Sequence, residues 1–390
     1  MIKAKVCHIT TVHLPFDDRI FHKECKTLAK AGYGAYLIAQ HDKEEMVDGV
    51  HIIPLPNARN RFQRILLLPI RALNIALRLK ADVYHFHDPE LLPVGVLLKL
   101  LTGKKVIYDV HENVPKQILN KAWIPLRSNK IISIIYRILE KFSLVFIDFI
   151  VIAEDSYIEN YDDIKNIEKI RNYPLLIHVN NVNKKEKFLT EKWGIIYVGG
   201  ITKLRGVFEL IEAVKILKTD KHYNILLKLV GPFYPSHLLK EVTNLIKEYE
   251  ILDNIEIFGE IPHSKVFNVL SDSQIGIAIL HPDPNYVESI PTKLFEYMIA
   301  GLPVIASNFP LWKEIVEGNN CGLCVNPLDP KEIAEAIKYL IDHPDEARQM
   351  GENGRKAVLE KYNWKEEGEK LIELYEKLLG EKKIGKQYGD

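Results

Sequence analysis

Short apolar runs recur along this chain, each followed by a longer stretch of helical periodicity, and this alternation constrains the fold more than any other feature. Ala4 to Thr10 reads as a first strand, followed by a polar loop through Arg19 and a helix from Ile20 to Lys30 that ends at Gly32. Tyr36–Ala39, Asp82–His87 and Lys105–Asp109 are further strands with helices between them. The second half repeats the theme, with a strand and glycine turn at Trp193–Gly200 and a helix from Gly206 to Leu217. Strands then follow at Ile225–Val230, Ile255–Phe258, Ile275–Ile279 and Val304–Ser307. Strand and helix alternating at this spacing give a parallel sheet covered on both faces. Two such doubly wound halves, joined around residues 170–190, are expected to leave a cleft between them. Ligands of such sheets bind beyond the carboxyl ends of the strands.

Composition narrows the class. A chain of 390 residues is most simply two domains, each able to bury its own core. Lys and Arg number 52, as do Asp and Glu, so net charge gives no argument for nucleic acid. Hydrophobic residues make up 47% but are spread out, and no run approaches the ~20 apolar residues of a membrane span. Met1–Lys5 is not followed by the apolar core of a signal peptide, so a cytoplasmic protein is expected. Four cysteines in so long a chain are no disulfide scaffold. Cys321 and Cys324 have redox-motif spacing, but with no second Cys or His pair nearby they read as core or turn residues.

The chemistry concentrates in Glu288-Ser289-Ile290-Pro291-Thr292-Lys293-Leu294-Phe295-Glu296-Tyr297-Met298-Ile299-Ala300-Gly301-Leu302-Pro303. Pro291 suits a first helical turn, and Leu294, Phe295, Met298 and Ile299 make an apolar stripe. Gly301 fits a helix C-cap and Pro303 blocks continuation. Glu288 thus precedes a helix and Glu296, eight positions on, lies in its first turns. Free N–H groups at such a helix start favour an anion such as a diphosphate, and flanking carboxylates accept hydroxyl hydrogen bonds. By spacing alone, a glutamate capping its own helix explains the pattern as well.

Glu-x7-Glu running into Glu-Tyr-Met-Ile-Ala-Gly-Leu-Pro-Val-Ile-Ala-Ser resembles the donor-site signature of family 4 glycosyltransferases, retaining enzymes of the GT-B fold. The resemblance implies two facing Rossmann-like domains. Residues 1–172 would form the acceptor side, joined by a returning helix over 365–380 that straps the hinge. Residues 173–364 would form the nucleotide-sugar side. It implies transfer of a hexosyl or N-acetylhexosaminyl group from a nucleoside diphosphate sugar, UDP favoured over GDP, with no bound metal or other cofactor. Its rivals are a nucleotide-sugar 2-epimerase and a non-catalytic sugar-nucleotide binder.

The resemblance also assigns roles. Glu288 would meet the donor sugar, Ser289, Ile290, Pro291, Thr292 and Lys293 the phosphate region, and Glu296 the ribose diol. In Val198-Gly199-Gly200-Ile201-Thr202-Lys203-Leu204-Arg205-Gly206 the family shows a basic residue directly after the strand-end glycine and another before the later glycine. Arg205 matches the second position, but Gly200 occupies the first, which leaves Lys203 as the neighbouring cation. Gly231 and Ile261 end strands where the family cradles the base, and Asn172-Tyr173-Pro174 departs from its linker Asn-Gly.

On the other half, His13, Asp17, Asp18 and Arg19 lie in the first strand-end loop, where the family builds its acceptor side. A purely structural role, Asp and Arg tying the loop together, competes with that reading. His111 matches a family histidine beside the transferred sugar, and Glu112 and His87 lie near it at strand ends. An imidazole there could stabilise an oxocarbenium-like transition state through its dipole and its backbone carbonyl. These histidines and carboxylates lack the i, i+4 spacing of a helical zinc motif, so no metal is expected.

Two segments mix cationic, aromatic and aliphatic groups, Arg59–Lys80 and Lys121–Arg137. Such mixtures can lie on an anionic bilayer, and sheet-covering helices explain them equally well. Peripheral contact with the inner membrane face would fit a glycan or lipid-linked acceptor in envelope or exopolysaccharide assembly.

Overall fold

A computed structural model describes residues 2–111, 114–115, 118, 126–161, 164–176, 188, 190, 192–220 and 223–380. Glu112, residues 121–125 of the second basic-apolar segment, most of the Asn- and Lys-rich junction and the tail from residue 381 lie outside them. The chain divides into two compact units. One runs to Asn172 and takes in the helix Trp364–Leu379; the other spans Tyr173–Asn363.

The first unit holds strands β1 (Lys5–Ile9), β2 (Gly34–Gln40), β3 (Glu45–Val47), β4 (Val50–Leu55), β5 (Val83–Phe86), β6 (Lys105–Val110), β7 (Phe149–Ile152) and β8 (Ile167–Lys169). Their order is β3-β4-β2-β1-β5-β6-β7-β8, parallel throughout except for the short β3. The passages β4 to β5, β5 to β6 and β6 to β7 all run the same way across this sheet. Because such crossovers are right-handed, their helices Leu68–Leu79, Leu92–Thr102 and Leu126–Leu144 share one face. The passage β1 to β2 runs the other way, and its helical segment covers the opposite face, where the Trp364–Leu379 helix packs against it. Trp364 Nε1 there donates to Thr27 Oγ1 at 2.9 Å, and the Arg171 amide donates to Glu367 at 2.8 Å.

The helix expected from Ile20 differs in its first turns. Asp18–Cys25 is π-helical and becomes α-helical only over Lys26–Lys30. In an α-helix residues five apart diverge by about 140°. The wider turn instead puts Arg19 and Glu24 on one inward face, Nε to Oε1 at 3.1 Å. Asp17 caps this segment through the amides of Arg19 and Ile20.

The second unit holds β9 (Trp193–Val198), β10 (Ile225–Val230), β11 (Ile255–Gly259), β12 (Ile275–Ala278), β13 (Val304–Ser307) and β14 (Gly322–Val325), all parallel in the order β11-β10-β9-β12-β13-β14. Cys321 precedes β14 and Cys324 lies on it; both are free thiols that burial pushes up to about 12, inert where the spacing hinted at redox chemistry. Edge strands β3, β8 and β14 and the inner β4 and β7 were not expected. β3 and β8 are three residues long, and Gly322 gives β14 a turn-like start.

Candidate active site

Each sheet has a point where strand order reverses. In the second unit it lies between β9 and β12, and in the first between β1 and β5. Loops leaving the carboxyl ends of neighbouring strands diverge there and open a crevice. The residues singled out above cluster at these two points.

In the second unit, β9 is followed by Gly199 at φ +113° and β10 by Gly231 at φ +138°. A Cβ on Gly231 would lie 2.2 Å from the Gly199 carbonyl oxygen, so the two strand ends touch backbone to backbone. Gly231→Ala is therefore expected to cost about 1–3 kcal/mol, read as a lower Tm, and to distort the neighbouring turn. The Gly231 amide donates to the Gly259 carbonyl at 2.7 Å. Ile261 follows Gly259 and packs half-buried against the core.

Arg205 precedes Gly206, whose φ of +73° starts the helix Val207–Thr219. Its Nη1 donates to the Gly200 carbonyl at 3.1 Å, which also accepts from the Tyr197 hydroxyl at 3.0 Å. Its Nε, buried, has no hydrogen-bond partner. Lys203, the expected substitute cation, instead lies largely exposed against Glu241 at 2.9 Å. The charge at the turn comes from Lys293. This side chain is buried, its Nζ is 3.8 Å from the Tyr197 ring centroid, and a Cβ on Gly199 would lie 3.3 Å from it. The ammonium has no hydrogen-bond partner. Burial first, then the Arg205 charge, hold its pKa well below the usual lysine range, against a smaller upward pull from Glu296.

Lys293 is carried by the helix Thr292–Ile299, with Pro291 in extended conformation at its N-cap rather than in its first turn. Tyr297 anchors this helix: its hydroxyl accepts from the Val198 amide at 2.9 Å and donates to the Ile277 carbonyl at 3.2 Å. Ahead of it, Ser289 donates to the Asn285 carbonyl and its own carbonyl accepts from Trp312 Nε1 at 2.7 Å. Ile290 packs half-buried on the core and Thr292 is exposed. Glu288 ends the short helix Pro284–Val287, half-buried, and Glu296 sits half-buried in the longer helix. Two cations beside a glycine turn, each with an unpaired buried N–H, at the start of a helix, form a site built for an anion.

In the first unit Asp88 ties the loop after β1, accepting from Thr10 and Thr11 hydroxyls at 2.9 and 3.2 Å and from the Val12 amide at 3.2 Å. His13 pairs with Asp17 at 3.1 Å. Asp109 is the hub: Arg19 grips it through two N–H groups at 2.9 and 3.0 Å, and His87 and His111 reach it at 3.1 and 2.8 Å. Burial alone would raise the Asp109 pKa; Arg19 and then His111 hold it well below the carboxylate range. Burial lowers His87 to about 4, leaving it neutral near pH 7.

Arg19 and His87, expected to face an acceptor, are buried, and Asp18 is turned outward against Lys23. The His111 carbonyl, expected to face the sugar, accepts from the Tyr157 hydroxyl at 3.1 Å. The His111 ring remains partly exposed, with Nε2 2.8 Å from the Asp109 carboxylate. Asp88 and Asp109 were overlooked because their value lies in lateral strand neighbours. The same neighbours bring His87, Asp109 and His111 together, as they do His8, His85 and His87, which Glu24 joins from the π-helical segment, groupings that helical spacing does not reveal.

Comparison with known proteins fits this geometry. The family described as Glycosyltransferase Family 4 matches residues 18–161, and that described as Glycosyl transferases group 1 matches 179–357. The MMP alpha-(1->4)-mannosyltransferase of Mycolicibacterium hassiacum is 26% identical over 177 residues, 45% of this chain and 41% of that protein. The capsular polysaccharide glycosyltransferase CapM of Staphylococcus aureus is 29% identical over 203 residues, 51% and 50% of the two chains. The chain thus spans about half the length of the curated relatives it matches. Sucrose-phosphate synthase from Thermosynechococcus elongatus superposes with a TM-score of 0.77 at 19% identity, over 97% of this chain and 100% of that one. Anabaena HepE, solved with UDP and glucose, gives 0.71 at 12% identity over 96% and 100%. By fold the chain is of the GT-B type, with a stretch matching Glycosyltransferase Family 4 followed by one matching Glycosyl transferases group 1.

Proposed function

We propose that this protein is a retaining glycosyltransferase that moves a hexosyl or N-acetylhexosaminyl group from a nucleoside diphosphate sugar to an acceptor hydroxyl in envelope or exopolysaccharide assembly. The observation that carries the reading is the buried Arg205 Nε and Lys293 Nζ, both without a hydrogen-bond partner, beside the Gly199–Gly200 turn. They would hold the diphosphate; Glu296 would take the ribose diol and Glu288 the sugar hydroxyls. The UDP in the Anabaena HepE structure supports a uridine donor over a guanosine one.

The acceptor oxygen would attack the anomeric carbon on the face the diphosphate leaves. As the carbon–oxygen bond to the diphosphate breaks, the acceptor proton passes to a departing phosphate oxygen. Barrier lowering comes from the two cations, aimed where charge develops. His111, held by Asp109, would hydrogen-bond a reacting hydroxyl. His111→Ala is expected to lower kcat by about 100-fold, the span of one lost transition-state contact, while UDP affinity stays within twofold.

No helix of the described residues is long and apolar enough to cross a membrane, and we place the protein in the cytoplasm, peripheral to the membrane. A thermal-shift panel of UDP, GDP and ADP with their sugars tests the donor site. One base should stand out, by about 2.7 kcal/mol at 100 times its Kd, and Lys293→Met should erase the shift. No response to any of them would remove the transferase reading. Free nucleotide released only with acceptor present separates transfer from epimerisation and from mere binding.

A further inference from the structure

The helix Leu126–Leu144 covers β6 and β7 with one side and leaves the other bare. Ile131, Ile134, Ile138 and Phe142, with Val145 just past the end of the helix, are 59 to 78% exposed. Their spacing of three and four residues makes a single ridge, roughly 20 Å long at 1.5 Å per residue. The neighbouring helix Leu92–Thr102 adds Leu97, Leu100 and Leu101, at 41 to 63%. Ahead of Leu68–Leu79, on the same sheet face, Phe62 and Leu66 are likewise bare. Isolated exposed apolar residues need no explanation, but a ridge of this size marks a covered surface.

Charge says what covers it. The sequence holds no Asp or Glu between Gly49 and Ala81 or between Leu126 and Leu139, stretches that carry six and three Lys or Arg. The whole chain is balanced, so this layer is a local excess. The one acid of the Leu126–Leu144 helix, Glu140, is buried and accepts from the Tyr136 and Tyr161 hydroxyls at 3.2 and 2.9 Å. Lys130, Arg137 and Lys141 stay exposed beside the ridge. A second copy of the same face would bring cation to cation. An anionic lipid surface satisfies both the ridge and the cations.

We propose that the layer formed by Leu68–Leu79, Leu92–Thr102 and Leu126–Leu144 is a membrane-docking face, its apolar ridge entering the headgroup boundary of an anionic bilayer. This deepens the peripheral placement above and makes a lipid-borne acceptor the substrate class of the enzyme. It rests on the first unit alone, so it can fail without touching the donor site.

Cosedimentation of the full chain with vesicles of phosphatidylcholine, with and without phosphatidylglycerol, tests it. Binding to the anionic vesicles is expected at low salt, weakening as salt rises. Ile138→Asp with Phe142→Asp should lower it by more than tenfold, given about tenfold per large side chain withdrawn from the interface. Arg137→Glu with Lys141→Glu should abolish the preference for anionic lipid. All four positions are exposed, and the thermal shift with UDP reports whether each variant is folded. No binding at low salt, or binding that the ridge variant leaves unchanged, overturns the proposal. A concentration-dependent dimer lost in the ridge variant, without lipid binding, would assign the face to a second copy instead.

Discussion

Lys293→Met is expected to abolish the response to UDP and UDP-sugars while raising the Tm of the ligand-free protein. Both effects follow from one buried ammonium without a hydrogen-bond partner, beside Arg205. In the free protein it is a cost, since burial and a like charge both oppose it. With a diphosphate in place it becomes a charge-assisted hydrogen bond, about 1.5–3 kcal/mol or roughly 10- to 100-fold in affinity. A Met of similar shape removes the cost and the contact together. Lys203→Ala is the control: its side chain lies against Glu241, so affinity should stay within twofold.

The same ammonium predicts a pH dependence. Its folded-state pKa lies below that of the unfolded chain, so between the two the unfolded state binds the extra proton. Stability of the ligand-free protein therefore rises with pH across that window. Binding of a diphosphate restores the proton, so affinity should fall by about tenfold per pH unit above the depressed pKa. Calorimetry in buffers of different ionisation enthalpy would show proton uptake on binding. A pH-independent affinity, with no proton exchanged, would mean that Lys293 does not face the phosphates.

Strands β1, β2, β5, β6 and β9 to β13, the helix Thr292–Ile299 and the glycine turns were legible in the sequence because local rules decide them. Gly199 and Gly206 adopt the positive φ that only glycine takes readily, and the Leu294, Phe295, Met298 stripe is buried as its period requires. The π-helical start at Asp18 was not legible, since it depends on Arg19 and Glu24 both reaching an interior that no local pattern announces. That Lys293, placed at the phosphate region by the resemblance, meets the glycine turn itself was hidden for a related reason. Gly200 and Lys293 are 93 positions apart, and only the packing of the Thr292–Ile299 helix on the end of β9 brings its Nζ to that turn. Asp109 reads as one more polar residue ending a strand until Arg19, His87 and His111 converge on it.

The two glutamates should separate by what they lose. Glu296→Ala should weaken UDP itself by about 100-fold, because a carboxylate holding two ribose hydroxyls forfeits two charged hydrogen bonds. A second effect adds to it: Glu296 is the anion that favours protonation of Lys293, so the variant's affinity should fall off at lower pH than the parent's. Glu288 stands in the loop after β12, eight residues before Glu296 and outside the helix that carries Lys293. Glu288→Ala should therefore leave UDP affinity within twofold and cut kcat with the sugar nucleotide by about 100- to 1,000-fold, as for lost contacts that tighten in the transition state. Titration of both variants with UDP, beside turnover with a UDP-sugar, decides it. Equal losses of UDP affinity would mean that the two carboxylates act together on the nucleotide. The sugar would then have to be held by groups other than Glu288.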